Sequence, residues 1–446
     1  MNRVIDKIKS FFSVSFFDNV YKTLTFGDFF IATFPFCLKW AAKRSARQRK
    51  RFVKTLKNKS KVTVAFFLQS PSVWKYDRLY WLFERNDRFE PVVVICPFNV
   101  HLNYDKGEMQ KVMNQTEEFV KKNGYRYYKT FDSERDKWLN VKKILNPDVI
   151  FYTKPYKDTL PQYHIYRFKD RLNCYIMYGT CCIDIFWTNF NLPFHNLLWR
   201  YFVENEYHVD YSRQYQTCGG ANTVVSGSLG MENLMLPDYK PIDVWKPQTV
   251  RKKRIIWAPH HTVDYLFNFS NFFTYCDFMF ELAEKYKDEI QIAFKPHPVL
   301  KFKLINIWGA DKTEAYYQCW RDLPNGQLEE GYYADLFLTS DAMIHDCASF
   351  TAEYLYTRKP TMFIVKDEHT VDHWNSFGIK CFDLHYKAHQ PSDVEAYIKD
   401  VVIGGNDTMQ AERDEFYINY LYPKDGVMPS QKIVDQIISY IDGDGE

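Results

Sequence analysis

Thr339-Ser340-Asp341-Ala342-Met343-Ile344-His345-Asp346-Cys347-Ala348-Ser349-Phe350-Thr351-Ala352-Glu353-Tyr354-Leu355-Tyr356-Thr357-Arg358-Lys359-Pro360-Thr361-Met362-Phe363-Ile364-Val365 is the stretch that decides the fold. Ala342–Ile344 and Thr361–Val365 are short apolar runs bounded by Asp and Pro, as expected of strands buried on both faces. Phe350–Tyr356 between them has a helical pattern. A strand, a helix and a second strand in so few residues form a βαβ unit, which demands a parallel sheet.

The same alternation runs outward in both directions. Further strands are expected at Val62–Leu68, Pro91–Cys96, Asp148–Tyr152, Cys174–Met177, Thr223–Val225, Arg254–Trp257 and Ile290–Phe294. Helical patterns occupy Tyr76–Glu84, Lys106–Lys122, Phe272–Tyr286 and Gln431–Ile441. The chain has 446 residues, enough for two or three domains. The alternation breaks once, in the Pro-punctuated stretch Leu236–Arg254. We therefore expect an N-terminal segment over 1–60, one α/β domain over 61–235, a linker over 236–254 and a second α/β domain over 255–446. Two such domains predict a ligand crevice outside the carboxyl ends of their strands.

Charge is unevenly spread. The net charge is +3, yet Lys39 to Lys61 alone contains eleven Lys and Arg, so the remainder is acidic. A whole-protein affinity for nucleic acid is not expected from that balance. A local attraction to an anionic membrane surface is, because Phe26, Phe29, Phe30, Phe34, Phe36 and Trp40 precede the basic run and would sit at headgroup level. Asp28, Pro35 and Lys39 argue against a spanning helix. The start of the chain lacks a small-residue cleavage site for secretion. The ten cysteines form no C-x-x-C pair and read as buried small hydrophobes.

No G-x-G-x-x-G follows a strand and no G-x-x-x-x-G-K-[ST] is present, which removes support for dinucleotide redox chemistry and P-loop hydrolysis. His369/His373 and His385/His389 have i, i+4 spacing but lack the acidic neighbour of a zinc hydrolase motif. Three expected strand ends carry chemistry instead. Trp257-Ala258-Pro259 runs into His260, His261 and Thr262. Phe294 runs into Lys295-Pro296-His297-Pro298, a stiff cationic donor pair suited to phosphate. Asp346-Cys347-Ala348-Ser349 opens a helix, where free backbone N–H groups attract an anion.

These three runs, with Ser340, Asp341, Glu353, Lys359 and Pro360, resemble the CDP-glycerol glycerophosphotransferase family, the teichoic-acid-type polymerases and primases of bacteria. Tyr178-Gly179-Thr180 is similar to that family's His-Gly-Thr. The resemblance implies a GT-B fold, in which two Rossmann-like domains with parallel sheets face a cleft. It implies transfer of a polyol phosphate from a CDP-activated donor to a polysaccharide or lipid-linked acceptor, with release of CMP. It also implies no metal or other cofactor, and peripheral attachment to the inner face of the cytoplasmic membrane. The matching positions would make His297, His260, His261 and Asp346 catalytic. Lys295, Thr262, Asp341, Cys347, Ala348, Ser349 and Glu353 would bind the donor, and Tyr178, Gly179 and Thr180 would lie on the acceptor side. Tyr178 stands where the family has its base, and a phenol with a pKa near 10 is a poor base at neutral pH. Then either His260 or His261 takes the proton, or the acceptor differs, or the reaction relies mainly on positioning. Two other readings stay open at this level: a GT-B glycosyltransferase using a nucleotide sugar, and a non-catalytic member of a polysaccharide assembly complex. The oligomeric state is not legible.

Overall fold

Hydrophobic runs too short for helices and flanked by helical stretches become the strands of two parallel sheets. The computed structural model describes residues 26–99, 104–263, 269–331 and 333–443. The first sheet contains β1 (Val62–Leu68), β2 (Phe89–Ile95), β3 (Tyr127–Lys129), β6 (Val149–Tyr152), β7 (Leu172–Ile176), β8 (Arg200–Val203) and β9 (Thr223–Val225). Their order is β3-β2-β1-β6-β7-β8-β9, and every pair is parallel. A two-stranded antiparallel hairpin, β4 (Phe131–Asp132) with β5 (Lys137–Trp138), interrupts the sequence between β3 and β6. The second sheet contains β10 (Lys253–Ala258), β11 (Ile290–Phe294), β12 (Gly326–Leu328), β13 (Ala342–His345), β14 (Thr361–Ile364) and β15 (Tyr386–Ala388), ordered β12-β11-β10-β13-β14-β15 and again wholly parallel.

The chain forms two compact units: one of residues 1–178, 185–229 and 427–446, the other of 179–184 and 230–426. Each is a Rossmann-like half with its own core. In the first, the Phe66 ring stacks on Phe151 at 5.1 Å and meets Trp74, Tyr76 and Tyr80 within 5.8 Å. In the second, Trp257 stacks on Phe294 at 5.0 Å and packs against Trp320 at 5.6 Å. Many of the aromatic residues that make up 18% of the chain thus serve as core filler. Edge-to-face and offset pairs add roughly 0.5–1.5 kcal/mol each to simple burial.

Two boundaries differ from expectation. The final helix, Pro429–Asp442, was expected in the second domain but packs in the first. Ile433, Val434, Ile437 and Ile441 are buried in the core around β1 and β2. Each fully buried aliphatic side chain contributes about 1.5–3 kcal/mol, which fixes this helix where its apolar stripe is covered. The expected linker is also not free. Trp245 is buried, its indole N–H donating to Thr339 Oγ1 at 3.0 Å, and the Lys246 N–H donates to Gln327 Oε1 at 2.7 Å.

The basic segment is a helix, Pro35–Leu56, preceded by a short helix, Phe26–Thr33. Its inner face, with Leu38, Ala41, Ser45, Arg49 and Leu56, is buried. Arg49 Nη1 donates to the Leu197 carbonyl at 3.1 Å, and burial lowers the guanidinium pKa to about 10. Of the aromatic residues expected at headgroup level, Phe29 is buried within the protein, whereas Phe36 and Trp40 are 81% and 56% exposed. The Phe26 side chain and residues 1–25 lie outside the described residues. No described helix is long and apolar enough to cross a membrane.

Candidate functional site

β10, β11 and β13 are adjacent in the second sheet, so their carboxyl ends bring three separate loops together. Parallel pairing sets Trp257 beside Phe294 and Ala258 beside His345. His260–His261 and His297 therefore emerge side by side. The His297 N–H donates to the Pro259 carbonyl at 3.1 Å and ties the two loops. The ring centroids lie 4.2 Å apart for His260–His261, 4.3 Å for His261–His297 and 5.0 Å for His260–His297. One nitrogen from each ring falls within 4.8 Å of the others.

Three imidazoles this close disfavour one another's protonation. Burial, then His261 and Lys295, hold His297 down at about 3. Burial, then His261 and His297, hold His260 well below the usual imidazole range. Both rings are neutral at physiological pH, which is the state of a metal ligand but also of a hydrogen-bond donor. Backbone geometry separates these uses. The Val299 N–H donates to His297 Nδ1 at 3.1 Å, so in the neutral ring Nε2 carries the proton. A metal needs an unprotonated nitrogen, whereas this Nε2–H is ready for an anionic oxygen. His260 Nδ1 is 3.1 Å from Thr262 Oγ1, and its ring stacks on Phe269 at 4.8 Å.

Asp346 holds this arrangement from beneath. Its Oδ1 accepts the His260 N–H at 2.5 Å and its Oδ2 accepts the Asn271 N–H at 2.6 Å. Burial pushes its carboxyl up to about 7, opposed by those two N–H groups. The carboxylate is a clamp between two backbone segments and does not reach an imidazole nitrogen through any described contact. Ser270 and Asn271 complete the clamp. The Ser270 hydroxyl donates to the His260 carbonyl at 2.9 Å, and Asn271 Nδ2 donates to the Ile364 carbonyl at 3.0 Å. Neither residue carried a signal in the sequence.

The third loop differs from expectation in detail. The Cys347 N–H is taken by His345 Nδ1 at 3.1 Å, and its thiol donates to the Ala258 carbonyl at 3.2 Å. Burial raises that thiol pKa, so it is an inert packing group. The helix that follows is a single α turn, Phe350–Glu353, continued as a tight turn over Tyr354–Thr357. Its dipole is correspondingly small. Ala348 and Ser349 remain half-exposed at its start.

Glu353 is buried and accepts twice: the Thr180 N–H at 3.2 Å and the Tyr333 hydroxyl at 2.6 Å. A Cβ on Gly179 would stand 3.9 Å from Glu353 Oε1 and 4.0 Å from Ser349 Cβ. Gly179 and Thr180 thus join Ser349 and Glu353 within the second unit. Tyr178 belongs to the first unit, where its hydroxyl is 3.4 Å from that of Tyr156.

Two expected donor-binding residues have other work. Lys295 is 5% exposed, and its ammonium donates to the Gly331 carbonyl at 3.0 Å and stands 5.5 Å from the Tyr333 ring. It anchors the loop that carries Tyr333. Asp341 precedes β13 and sits at the amino end of the strand, the end away from the histidines. There it accepts the Arg254 N–H at 2.7 Å and pairs with Arg251 at 3.0 Å. Of the histidine pairs with helical spacing, His385 is buried with its Nδ1 2.9 Å from the Cys381 carbonyl, while His369 pairs with Asp372 at 2.8 Å.

Residues 247–439, which span every strand of the second sheet, match the family model of CDP-glycerol:poly(glycerophosphate) glycerophosphotransferase. The second half of the chain is thus similar to that family. The chain is similar in fold to the wall teichoic acid polymerase TagF, at 14% identity over 97% of this chain and 99% of that one, with a TM-score of 0.55. It is also similar to S. aureus MnaA solved with UDP, at 12% identity, 86% and 97% coverage, and a TM-score of 0.54. The UDP-GlcNAc 2-epimerase from Neisseria meningitidis bound to UDP-GlcNAc gives 11%, 85%, 100% and 0.53. At these identities the likeness establishes the GT-B type of fold. No curated protein matches the chain. The enzyme class rests on the match over residues 247–439, and the histidine cluster just described lies inside that stretch.

Proposed function

We propose that this enzyme transfers glycerol phosphate from CDP-glycerol to a hydroxyl of a lipid-linked or polysaccharide acceptor, releasing CMP, at the inner face of a bacterial cytoplasmic membrane. The acceptor oxygen attacks the glycerol-bearing phosphorus, and the bond from that phosphorus to the bridging oxygen breaks. CMP leaves with the bridging oxygen and its electron pair. The observation that supports this most is the His297 ring, whose Nε2–H is oriented as a donor by the Val299 backbone. A fixed donor of this kind stabilises charge on phosphoryl oxygens without reorganising in the transition state.

The proton of the acceptor hydroxyl goes to His260 or His261. In the free enzyme burial, and then the neighbouring His261 and His297, make the His260 ring weakly basic. An arriving diphosphate brings negative charge beside that ring and raises its pKa, so proton uptake there becomes favourable only once donor is bound. Ser349 and the half-exposed backbone at Ala348 supply further polar contacts to the donor, and Asp346 acts as a positioning residue through the His260 backbone. No resident metal or cofactor is part of the proposal.

The test is a panel of CDP-alcohols and nucleotide sugars incubated with purified protein and followed by nucleotide release. CMP release from CDP-glycerol, abolished by His297→Ala, is the expected result. Release of a nucleoside diphosphate from a nucleotide sugar with none from CDP-alcohols would sink the proposal.

A further inference from the structure

The first sheet has its own switch point. From β1 the chain runs outward through β2 to β3, then returns to β6 on the other side of β1 and continues to β9. In sheets of this type a crevice opens at the carboxyl ends of the two strands where the direction reverses. A cavity of about 390 Å³ lies there. Its wall includes Gln69, which follows β1 directly, Cys96, which follows β2, and Thr153–Lys157, which follow β6. That volume falls in the usual range for a small-molecule site, about 300–1,000 Å³.

The wall combines aromatic faces with polar atoms that want a partner. Tyr152, Tyr166, Trp187 and Phe194 supply the rings. Among the described residues, Gln69 Oε1, Thr159 Oγ1 and His164 Nδ1 are buried without a hydrogen-bond partner. Their residues are 6%, 5% and 6% exposed, and all three line the cavity. The state of His164 follows from its other nitrogen. Nε2 lies 3.0 Å from the Thr159 carbonyl, which can only accept, so Nε2 carries the proton and Nδ1 a lone pair. Burial lowers this ring to about 4 and keeps it neutral.

The cavity therefore offers two acceptors and a hydroxyl, set among aromatic rings. An alkyl chain would leave all three atoms unpaired at the full cost of their desolvation. A sugar ring brings hydroxyl donors on its edge and an apolar C–H face for the aromatic wall. Lys157 stands at the rim with its ammonium 5.7 Å from the Tyr166 ring, a cation placed for a phosphate substituent.

We infer that this cavity binds a pyranose ring, the terminal sugar of the acceptor, through Gln69, Thr159 and His164. Its assignment to the acceptor rests on the transfer reaction proposed above; the sugar binding itself does not.

Binding is read by titration calorimetry and by Trp fluorescence on the full chain, without nucleotide. The probes are methyl pyranosides of glucose and N-acetylglucosamine, their 1-phosphates, and n-decyl phosphate as an apolar control. Saturable binding of at least one pyranoside is expected, weakened at least tenfold in Gln69→Met and His164→Phe. Thr159→Val, nearly isosteric, keeps the test decisive if either of those variants fails to fold, with an expected loss of three- to tenfold. The inference is overturned if no pyranoside saturates, if all folded variants bind as the parent does, or if only decyl phosphate binds. Pyranoside binding without turnover of CDP-glycerol would overturn the transfer reaction and leave the sugar site standing. Turnover without pyranoside binding would do the reverse.

Discussion

His297 has two nitrogens with separate tasks, and two amide substitutions separate them. Asn places its carbonyl oxygen near the position of Nδ1, and Gln places its amide nitrogen near that of Nε2. His297→Asn should keep the bond from the Val299 N–H, 3.1 Å in the parent, and lose the donor that faces the diphosphate. Removing one preorganised donor to a developing oxyanion costs about 2.7–4 kcal/mol, or a 10²–10³-fold fall in kcat. Stability should stay within about 0.5 kcal/mol, because the backbone N–H remains paired. His297→Gln should do the opposite. It loses a neutral hydrogen bond worth about 0.5–1.5 kcal/mol of stability but retains a donor, so the rate should fall only about tenfold. The assays are CMP release under saturating CDP-glycerol and urea unfolding of each variant. If His297→Asn is active and His297→Gln is dead, the tautomer assigned here is reversed. If both turn over normally, His297 is not part of the site.

Four histidines, His164, His195, His345 and His385, are buried with pKa values lowered chiefly by desolvation, in the first two and last two cases within different halves. Because their folded pKa lies below the unfolded value near 6.5, the unfolded chain takes up protons first as the pH falls. Stability is then full above about pH 6.5, and each ring removes up to about 1.4 kcal/mol per pH unit below it. Urea midpoints measured at pH 7.5, 6.5 and 5.5 should drop steeply over the last step, and a flat profile would contradict neutral burial. On the surface, Phe36 and Trp40 stand exposed beside the basic helix face. Co-sedimentation of the full chain with anionic vesicles should weaken several-fold in the Phe36→Ser, Trp40→Ser double variant and fall with added salt. Unchanged binding in that variant would exclude these rings from any membrane contact.

Strand interiors were legible because parallel strands buried on both faces leave continuous apolar runs, as in Val62–Leu68 and Ile290–Phe294. Short edge strands were not, since Tyr127–Lys129 and Tyr386–Ala388 each leave two or more residues partly or fully exposed, carry lysines and pair with one neighbour only. The helix Pro429–Asp442 announced an apolar stripe, but a stripe does not say which core will cover it. Within the site, the cluster of His260, His261 and His297 was foreseeable from Pro-bracketed strand ends. The clamp by Asp346 on two backbone N–H groups was not, because Asn271 looks like any loop residue. Asp341 could have been excluded from sequence alone. It precedes its strand, and in a parallel sheet the amino end is remote from ligand. Glu353 and Thr180 are far apart in sequence, and only the folded chain joins them.

The neutral histidine cluster has a consequence for when the enzyme is competent. Burial, and after it crowding, keeps His260 and His297 uncharged in the free protein, and of the ammonium groups near them Lys295 donates to the Gly331 carbonyl and Lys366 to the Ser270 carbonyl. A free anion such as inorganic phosphate gains little from the rings themselves, since an uncharged imidazole N–H gives it a weaker bond than a cation would. A diphosphate bridging several donors gains more, and its charge restores basicity to the rings beside it. In the proposed transfer, base strength would thus arise with the donor and fall away when CMP leaves, which would couple removal of the acceptor proton to the presence of the group to be transferred. Tyr178 is compatible with that proposal, because a proton acceptor among the strand-end imidazoles would make a second base unnecessary.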